Sequence, residues 1–145
     1  LSGVPADTVV VCQPNDDSLA HLGELSCETL HFKKVKGYIV DAGCRDTAFI
    51  EKTAFPVFCR YSTPVDIVGK WAPIAMGEPI TIGGVPIHQG DYVMADQDGV
   101  VIIPKDMAEK VVCQTEEVLQ TENEVRKAIL RGVDPLEAYQ KYGKF

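Results

Sequence analysis

This 145-residue chain has little of what marks a redox, metal-cluster or nucleic-acid protein at sight. Its five cysteines (Cys12, Cys27, Cys44, Cys59 and Cys113) form no CxxC pair, are odd in number and mostly sit in apolar segments. They read as buried, reduced thiols of a cytosolic protein; only Cys44, beside Arg45, has the setting of a low-pKa thiol. The three histidines have no spacing that suggests zinc. Basic residues are scarce: 14 Lys and Arg against 21 Asp and Glu leave a net charge of −7, which argues against non-specific nucleic-acid binding. No apolar run is long enough to span a bilayer, and the N-terminus lacks the basic-then-apolar order of a signal peptide. The expectation is a cytoplasmic protein with no membrane and no nucleic-acid partner. There are no repeats, low-complexity segments or linkers, and the length predicts one domain over 1–145.

What is present is an alternation of strand and helix signals. Thr8–Cys12 is a β-branched strand, and Pro14–Ser18 is a polar turn cluster. A helix is predicted from about Leu22 to Lys34, with Leu22, Leu25, Thr29 and Phe32 as its apolar stripe, lysines at its C-terminal end and Gly37 as its terminator. Tyr38–Val40 reads as a short buried strand running into a turn at Asp41–Asp46. Thr47–Thr53 is a short helix, and Val57–Tyr61 a strand. The segment from Thr63 to Pro73 gives no clear signal. From Pro79 the pattern is β: Ile80–Ile82 and Val85–Ile87 around Gly83-Gly84, then Tyr92–Ala95 and Val100–Ile103 around Asp96–Gly99. A long helix is predicted over about Met107–Leu130, with a broken apolar stripe (Val111, Val112, Thr115, Val118, Leu119, Glu122, Val125, Ile129) against an acidic face (Glu116, Glu117, Glu122, Glu124). Gly132 caps it, and Asp134-Pro135 opens a last short helix.

Two stretches carry chemistry. Arg45-Asp46 follows a buried strand, and strand ends are where open α/β folds bind ligands. A guanidinium there can hold an anion while the carboxylate holds a divalent cation. Gly23-Glu24-Leu25-Ser26 lies at a helix start, where free backbone N–H groups can bind an anion. Each has a plainer explanation. Glu24 is a first-turn acid favoured by the helix dipole, Asp46 an N-cap, and Arg45 a structural partner for Asp41 or Asp46. Asp91, Asp96 and Asp98 beside glycines read as turn formers.

Gly23-Glu24-Leu25, the strand end Asp41–Asp46 with Arg45 twenty-one positions after Glu24, and the segment Gly90-Asp91 through Ala95-Asp96-Gln97-Asp98-Gly99-Val100-Val101-Ile102-Ile103-Pro104 together resemble the RraA-like family. That family contains 4-hydroxy-4-methyl-2-oxoglutarate/4-carboxy-4-hydroxy-2-oxoadipate aldolases and regulators of ribonuclease E activity. The resemblance runs from about Gly3 to the C-terminus. Gln89 stands where members usually have Pro, and Ala42 precedes Gly43 where they have Gly directly; members usually carry a further N-terminal region before the residue matching Gly3, so the expectation is a single RraA-like domain over 1–145 without that region.

The resemblance implies an α/β fold: a swivelling β/β/α-type sandwich with mixed sheets and a long C-terminal helix. It implies a class II pyruvate aldolase that cleaves a 4-hydroxy-2-oxo diacid to pyruvate and a second oxo acid, with oxaloacetate decarboxylation as a side activity. Mg2+ or Mn2+ is the implied cofactor and Asp46 its ligand. Arg45 is the implied grip on the pyruvyl group, the backbone at Gly23, Leu25 and Ser26 the carboxylate site, and Glu24 the acid–base residue. A homotrimer or hexamer is implied, with Glu122 or Glu124 reaching a neighbouring subunit's site. The alternatives are a non-enzymatic ribonuclease regulator and a sugar-acid lyase using the same residues; regulators lack the acid that Glu24 supplies.

Overall fold

The computed structural model describes residues 1–143 and divides into two compact units that meet in sequence at Gln89 and Gly90. The first unit is built on one long strand. Its elements are β1 (Val9–Cys12), β2 (Ala20–Leu22), α1 (Glu24–Phe32), β3 (Gly37–Cys44), α2 (Thr47–Thr53) and β4 (Val57–Ser62). β3 pairs in parallel with β1 along Gly37–Val40, with β2 at Gly43 and Cys44, and with β4 along both segments. Three strands therefore share one direction with β3, and the carboxyl ends of β2, β3 and β4 fall on one side of the sheet.

β3 was expected to stop at Val40 and turn. Instead it runs through Asp41 to Cys44, because Ala42, Gly43 and Cys44 are all buried and small enough to sit under neighbouring elements. A strand covered on both faces reads as an unbroken apolar run rather than an alternating one. Gly43 is required by close approach: a Cβ there would lie 2.5 Å from the Tyr61 ring and 2.9 Å from the Leu19 carbonyl oxygen. Tyr38, Val40, Ala42 and Cys44 form the sheet side of a core completed by Leu22, Cys27, Leu30, Val35, Ile50 and Phe55.

The helix after β2 also differs from expectation. Leu22 belongs to the strand β2, Gly23 is the N-cap, and the helix ends at Phe32, so Gly37 opens β3 rather than closing α1. The predicted stripe took its phase from Leu22, which is not helical. The buried residues of α1 are Cys27 and Leu30, while Leu25 and Phe32 are 76% and 90% exposed. α2 spans the predicted residues.

The loops flanking β2 are tied by polar contacts. Asp16 accepts from Ser18 N and Oγ, Leu19 N and His21 Nε2. Burial would raise its carboxyl pKa, but these donors outweigh it and hold the group at about 2. His21 meets the edge of Trp71 at 4.8 Å, and Trp71 Nε1 donates to the Pro14 carbonyl at 2.9 Å. The segment 65–71 is thereby fastened beside β2. The unit closes with the expected hairpin, β5 (Ile80–Ile82) against β6 (Val85–Ile87).

The second unit holds the antiparallel pair β7 (Tyr92–Asp96) and β8 (Gly99–Ile103), a 3-10 turn at Lys105–Met107, α3 (Ala108–Leu130) and α4 (Pro135–Tyr142). Asp96 accepts from Asp98 N at 2.8 Å and shapes its turn as expected, whereas Asp91 accepts from Lys105 N at 3.1 Å, across the β7–β8 pair. Asp134 caps α4 through Leu136 N and Glu137 N. On α3 only the C-terminal part of the expected stripe is buried: Val125 is covered, along with Ala128, whereas Val112 and Leu119 are half exposed. The parallel sheet, the antiparallel pairs and the long C-terminal helix make the α/β architecture that the sequence implied. No helix among the described residues is long and apolar enough to cross a membrane.

Candidate active site at the strand ends

Three chain reversals meet at the carboxyl ends of the parallel strands. β2 ends at Leu22 and passes through Gly23 into α1; β3 ends at Cys44 and passes through Arg45 and Asp46 into α2; β4 ends at Ser62 and continues through Thr63 and Pro64. An open pocket of about 550 Å³ lies here, lined by Arg45, Asp46, Thr47, Ser62, Thr63 and Pro64. This is the place where open α/β sheets bind ligands.

Asp46 occupies the N-cap position of α2, but its side chain makes no capping bond. Its Oδ2 accepts instead from the backbone N of Glu24, at 2.9 Å, at the N-terminus of α1. The plain N-cap explanation therefore accounts for its position but not for its carboxylate. The backbone of Asp46 is left-handed (φ 58°, ψ 32°), a region that Asp tolerates better than most residues. That conformation turns the chain from β3 into α2.

Arg45 is held by its backbone N to the Leu22 carbonyl at 2.9 Å. Its Nε lies 3.6 Å from Asp46 Oδ2, and its Nη1 lies 2.6 Å from Asp66 Oδ2. Of the two expected structural partners, Asp46 approaches Arg45, though more loosely than Asp66 does, and Asp41 is turned instead to Arg60 at 3.7 Å. The hydrogen bond to Asp66 raises the Arg45 pKa, and its counterpart from Arg45 lowers that of Asp66. Asp66 was absent from the sequence-derived site. It follows the end of β4, so the strand-end rule that singled out Arg45 would also have flagged it, but it lies in the segment without a periodic signal.

Gly23 is where the two motifs touch. A Cβ on it would stand 2.7 Å from Asp46 Oδ2, 2.8 Å from Arg45 Nε and 3.0 Å from Arg45 Cγ. Its φ of −136° is open to any residue, so the requirement is one of space and not of backbone. Gly23→Ala should therefore fold with a melting temperature close to that of the parent, because the clashing groups are side chains that can swing away. It should displace the Arg45 and Asp46 side chains and lower anion affinity at this candidate site by about tenfold or more. Unchanged affinity in a calorimetric titration with oxalate would show that the contact is unimportant.

Beyond Gly23, Leu25 and Ser26 carry first-turn amides that have no acceptor within the helix. The structure thus brings Gly23 and the Glu24 amide against Arg45 and Asp46, while Leu25 and Ser26 follow in the first turn of α1 and do not line the pocket. It is the amide of Glu24, and not its carboxylate, that touches Asp46. Glu122 and Glu124 lie on α3 in the second unit, and Glu124 pairs with Lys127 Nζ at 2.7 Å.

Cys44 is not the low-pKa thiol. It is fully buried, and a hydrogen bond to Cys59 together with burial raises its pKa. Cys59 is pushed down, first by its hydrogen bond from Cys44.

A divalent cation suits this rim in one specific way. Two carboxylates, Asp46 and Asp66, surround one guanidinium, so an anionic ligand meets a surplus negative charge unless a cation is added. No cluster of three or more His, Cys, Asp or Glu ligands occurs among the described residues, so a closed protein cage does not fit. One carboxylate with water completing the shell does fit, and that is how Mg2+ is commonly held.

The model of the RraA-like family, described as Aldolase/RraA, matches residues 1–102. The chain belongs to this family. A Halalkalibacterium halodurans protein named as a candidate 4-hydroxy-4-methyl-2-oxoglutarate aldolase is 33% identical over 136 residues, covering 93% of this chain and 64% of its own length. This RraA-like chain thus spans less than two thirds of that relative. Among solved structures, an uncharacterised protein from Pseudomonas syringae pv. tomato superposes with a TM-score of 0.93 at 25% identity, covering 97% of this chain and 67% of the other. Streptomyces coelicolor RraAS2, described as an unusual member of the RNase ES inhibitor RraA protein family, gives 0.81 at 28% identity, covering 87% of this chain and 65% of its own. The α/β fold is thus that of RraA proteins.

Proposed function

We propose that this RraA-like protein is a metal-dependent class II pyruvate aldolase. Its substrate would be a 4-hydroxy-2-oxo diacid, cleaved to pyruvate and a second oxo acid, with oxaloacetate decarboxylation as a side activity. The observation that carries this reading is the Asp46 carboxylate. It stands at an N-cap without capping, is turned to the start of α1, and is 41% exposed on the pocket rim beside Arg45.

Asp46 would hold Mg2+ or Mn2+ through its carboxylate, with waters filling the shell. Bound there, the cation supplies Lewis-acid stabilisation of negative charge developing on the 2-oxo oxygen. Arg45 grips the pyruvyl group, for which a planar fork is better suited than a lysine. The Leu25 and Ser26 amides receive the substrate carboxylate at the positive end of α1. For cleavage, a base must take the proton of the 4-hydroxyl; the C3–C4 bond then breaks, its electron pair stays with the pyruvyl half, and C3 is later protonated. Glu24 is the group assigned to that proton traffic, acting directly or through water. Exposed apolar side chains such as Phe32 and Ile74 are consistent with burial between subunits of a homo-oligomer, a trimer or hexamer.

The likeness to RraAS2 supports a second reading, a non-enzymatic regulator of an RNase. The two separate in one assay. The aldolase reading expects pyruvate release from 4-hydroxy-4-methyl-2-oxoglutarate that requires Mg2+ or Mn2+ and stops with EDTA. Activity indifferent to the chelator overturns the metal role. No turnover of any 4-hydroxy-2-oxo acid, together with a stable complex with an RNase, favours the regulator.

A further inference from the structure

The carboxylate of Asp66 is mounted more firmly than that of a casual surface partner. Its Oδ2 sits 2.6 Å from Arg45 Nη1, while its Oδ1 accepts from Val68 N at 2.9 Å. Its backbone forms a parallel bridge with Ala20 of β2, and Ala20 N donates to the Val65 carbonyl at 2.8 Å. A few residues on, Trp71 N donates to the Ile67 carbonyl, Trp71 Nε1 to the Pro14 carbonyl, and the indole packs on His21. Both oxygens and both neighbouring peptides are thus engaged, and the loop carrying Asp66 is tied to the strand that leads into Gly23.

We infer that Asp66 is a positioning residue, which fixes the plane of the Arg45 guanidinium so that it faces the anion held at the α1 N-terminus. The inference rests on the aldolase reading for what that anion is, but not for the positioning itself. A guanidinium on a flexible stem has many orientations, and only a clamped one presents its fork to a carboxylate or oxo group. Asp66 clamps one edge at Nη1, and Asp46 sits near the other at Nε.

Two physical arguments separate this role from that of an ordinary ion pair. The Arg45 and Asp66 side chains are 36% and 46% exposed, and pairs in contact with solvent contribute little to stability. Removing the carboxylate should then leave the melting temperature within about 2 °C. The second argument is one of sign. Asp66→Asn deletes a negative charge beside an anion site, which through electrostatics alone would tighten binding. Loss of alignment weakens it. A misplacement on the scale of a side-chain rotation can cost about 100-fold in rate.

The test compares the wild type with Asp66→Asn and Asp66→Glu. Alignment predicts that Asp66→Asn loses about tenfold or more in kcat/KM for pyruvate release, binds oxalate more weakly and melts as the wild type does. Asp66→Glu, which keeps the charge on a longer arm, should recover part of the loss. In a double-mutant cycle with Arg45→Lys the two losses should not add, because both act through one guanidinium. Equal or tighter oxalate binding in Asp66→Asn, or additive losses, overturns the inference.

A readout independent of turnover is the Arg45 Nε–H resonance in 15N NMR, assigned by its loss in Arg45→Lys. It should be restricted in the wild type and mobile in Asp66→Asn; identical mobility overturns the inference even if the protein cleaves nothing. A wild type that shows the clamped resonance but releases no pyruvate would sink the aldolase reading and leave the clamp standing.

Discussion

Arg45→Ala is expected to lower kcat/KM for pyruvate release by about 100- to 1,000-fold, equivalent to about 3–4 kcal/mol of lost transition-state stabilisation. The side chain lines the pocket and is clamped between two carboxylates, so its charge is spent on orientation and ligand and very little on the fold. Thermal stability should barely change, because exposed ion pairs of this kind contribute roughly 0–1 kcal/mol. Arg45→Lys should recover little of the activity, since an ammonium keeps the charge but cannot engage Asp66 and a substrate along two edges of one plane. A lysine variant with near-parental kinetics would mean that only a positive charge is needed there.

Asp46→Asn should have the second large effect, and for a different reason. Asn tolerates the left-handed backbone at this position and can still accept the Glu24 amide through its side-chain oxygen. The β3–α2 turn should therefore survive. What is lost is the negative charge that would hold a divalent cation, and pyruvate release in the presence of Mg2+ should fall by about 100-fold or more. The apparent metal requirement should move to higher concentration. A variant that keeps both its turnover and its metal requirement would place the cation elsewhere.

Much of this was legible in the residues. Gly83-Gly84 and Asp96–Gly99 marked their hairpins through turn chemistry that leaves few alternatives, and the short helix expected over Thr47–Thr53 is formed there. Arg45-Asp46 and Gly23-Glu24 could be paired only through a family resemblance, and the structure supplies the physical link: Gly23 is the space into which Asp46 and Arg45 fit. What the sequence concealed has three causes. β2 has only three residues, too few for a period, so Leu22 reads as helical and carries the stripe out of phase onto Leu25 and Phe32. β3 is covered on both faces, so Ala42 and Gly43 read as a turn although they continue the strand. Asp66 sits in a loop whose shape is set by contacts from Ala20, Pro14 and His21, far away in the chain, and no local pattern announces those.

The central claim is that the rim formed by the ends of β2 and β3 holds a divalent cation through Asp46 and an oxo-acid anion through Arg45 and the α1 amides. The most direct measurement is an electron paramagnetic resonance titration of Mn2+ into the wild type and Asp46→Asn, with and without oxalate as a mimic of the pyruvyl anion. Mn2+ should bind the wild type saturably and more tightly when oxalate is present, with both effects lost in Asp46→Asn. Equal Mn2+ binding by the two proteins, or none by the wild type in the presence of oxalate, would contradict it.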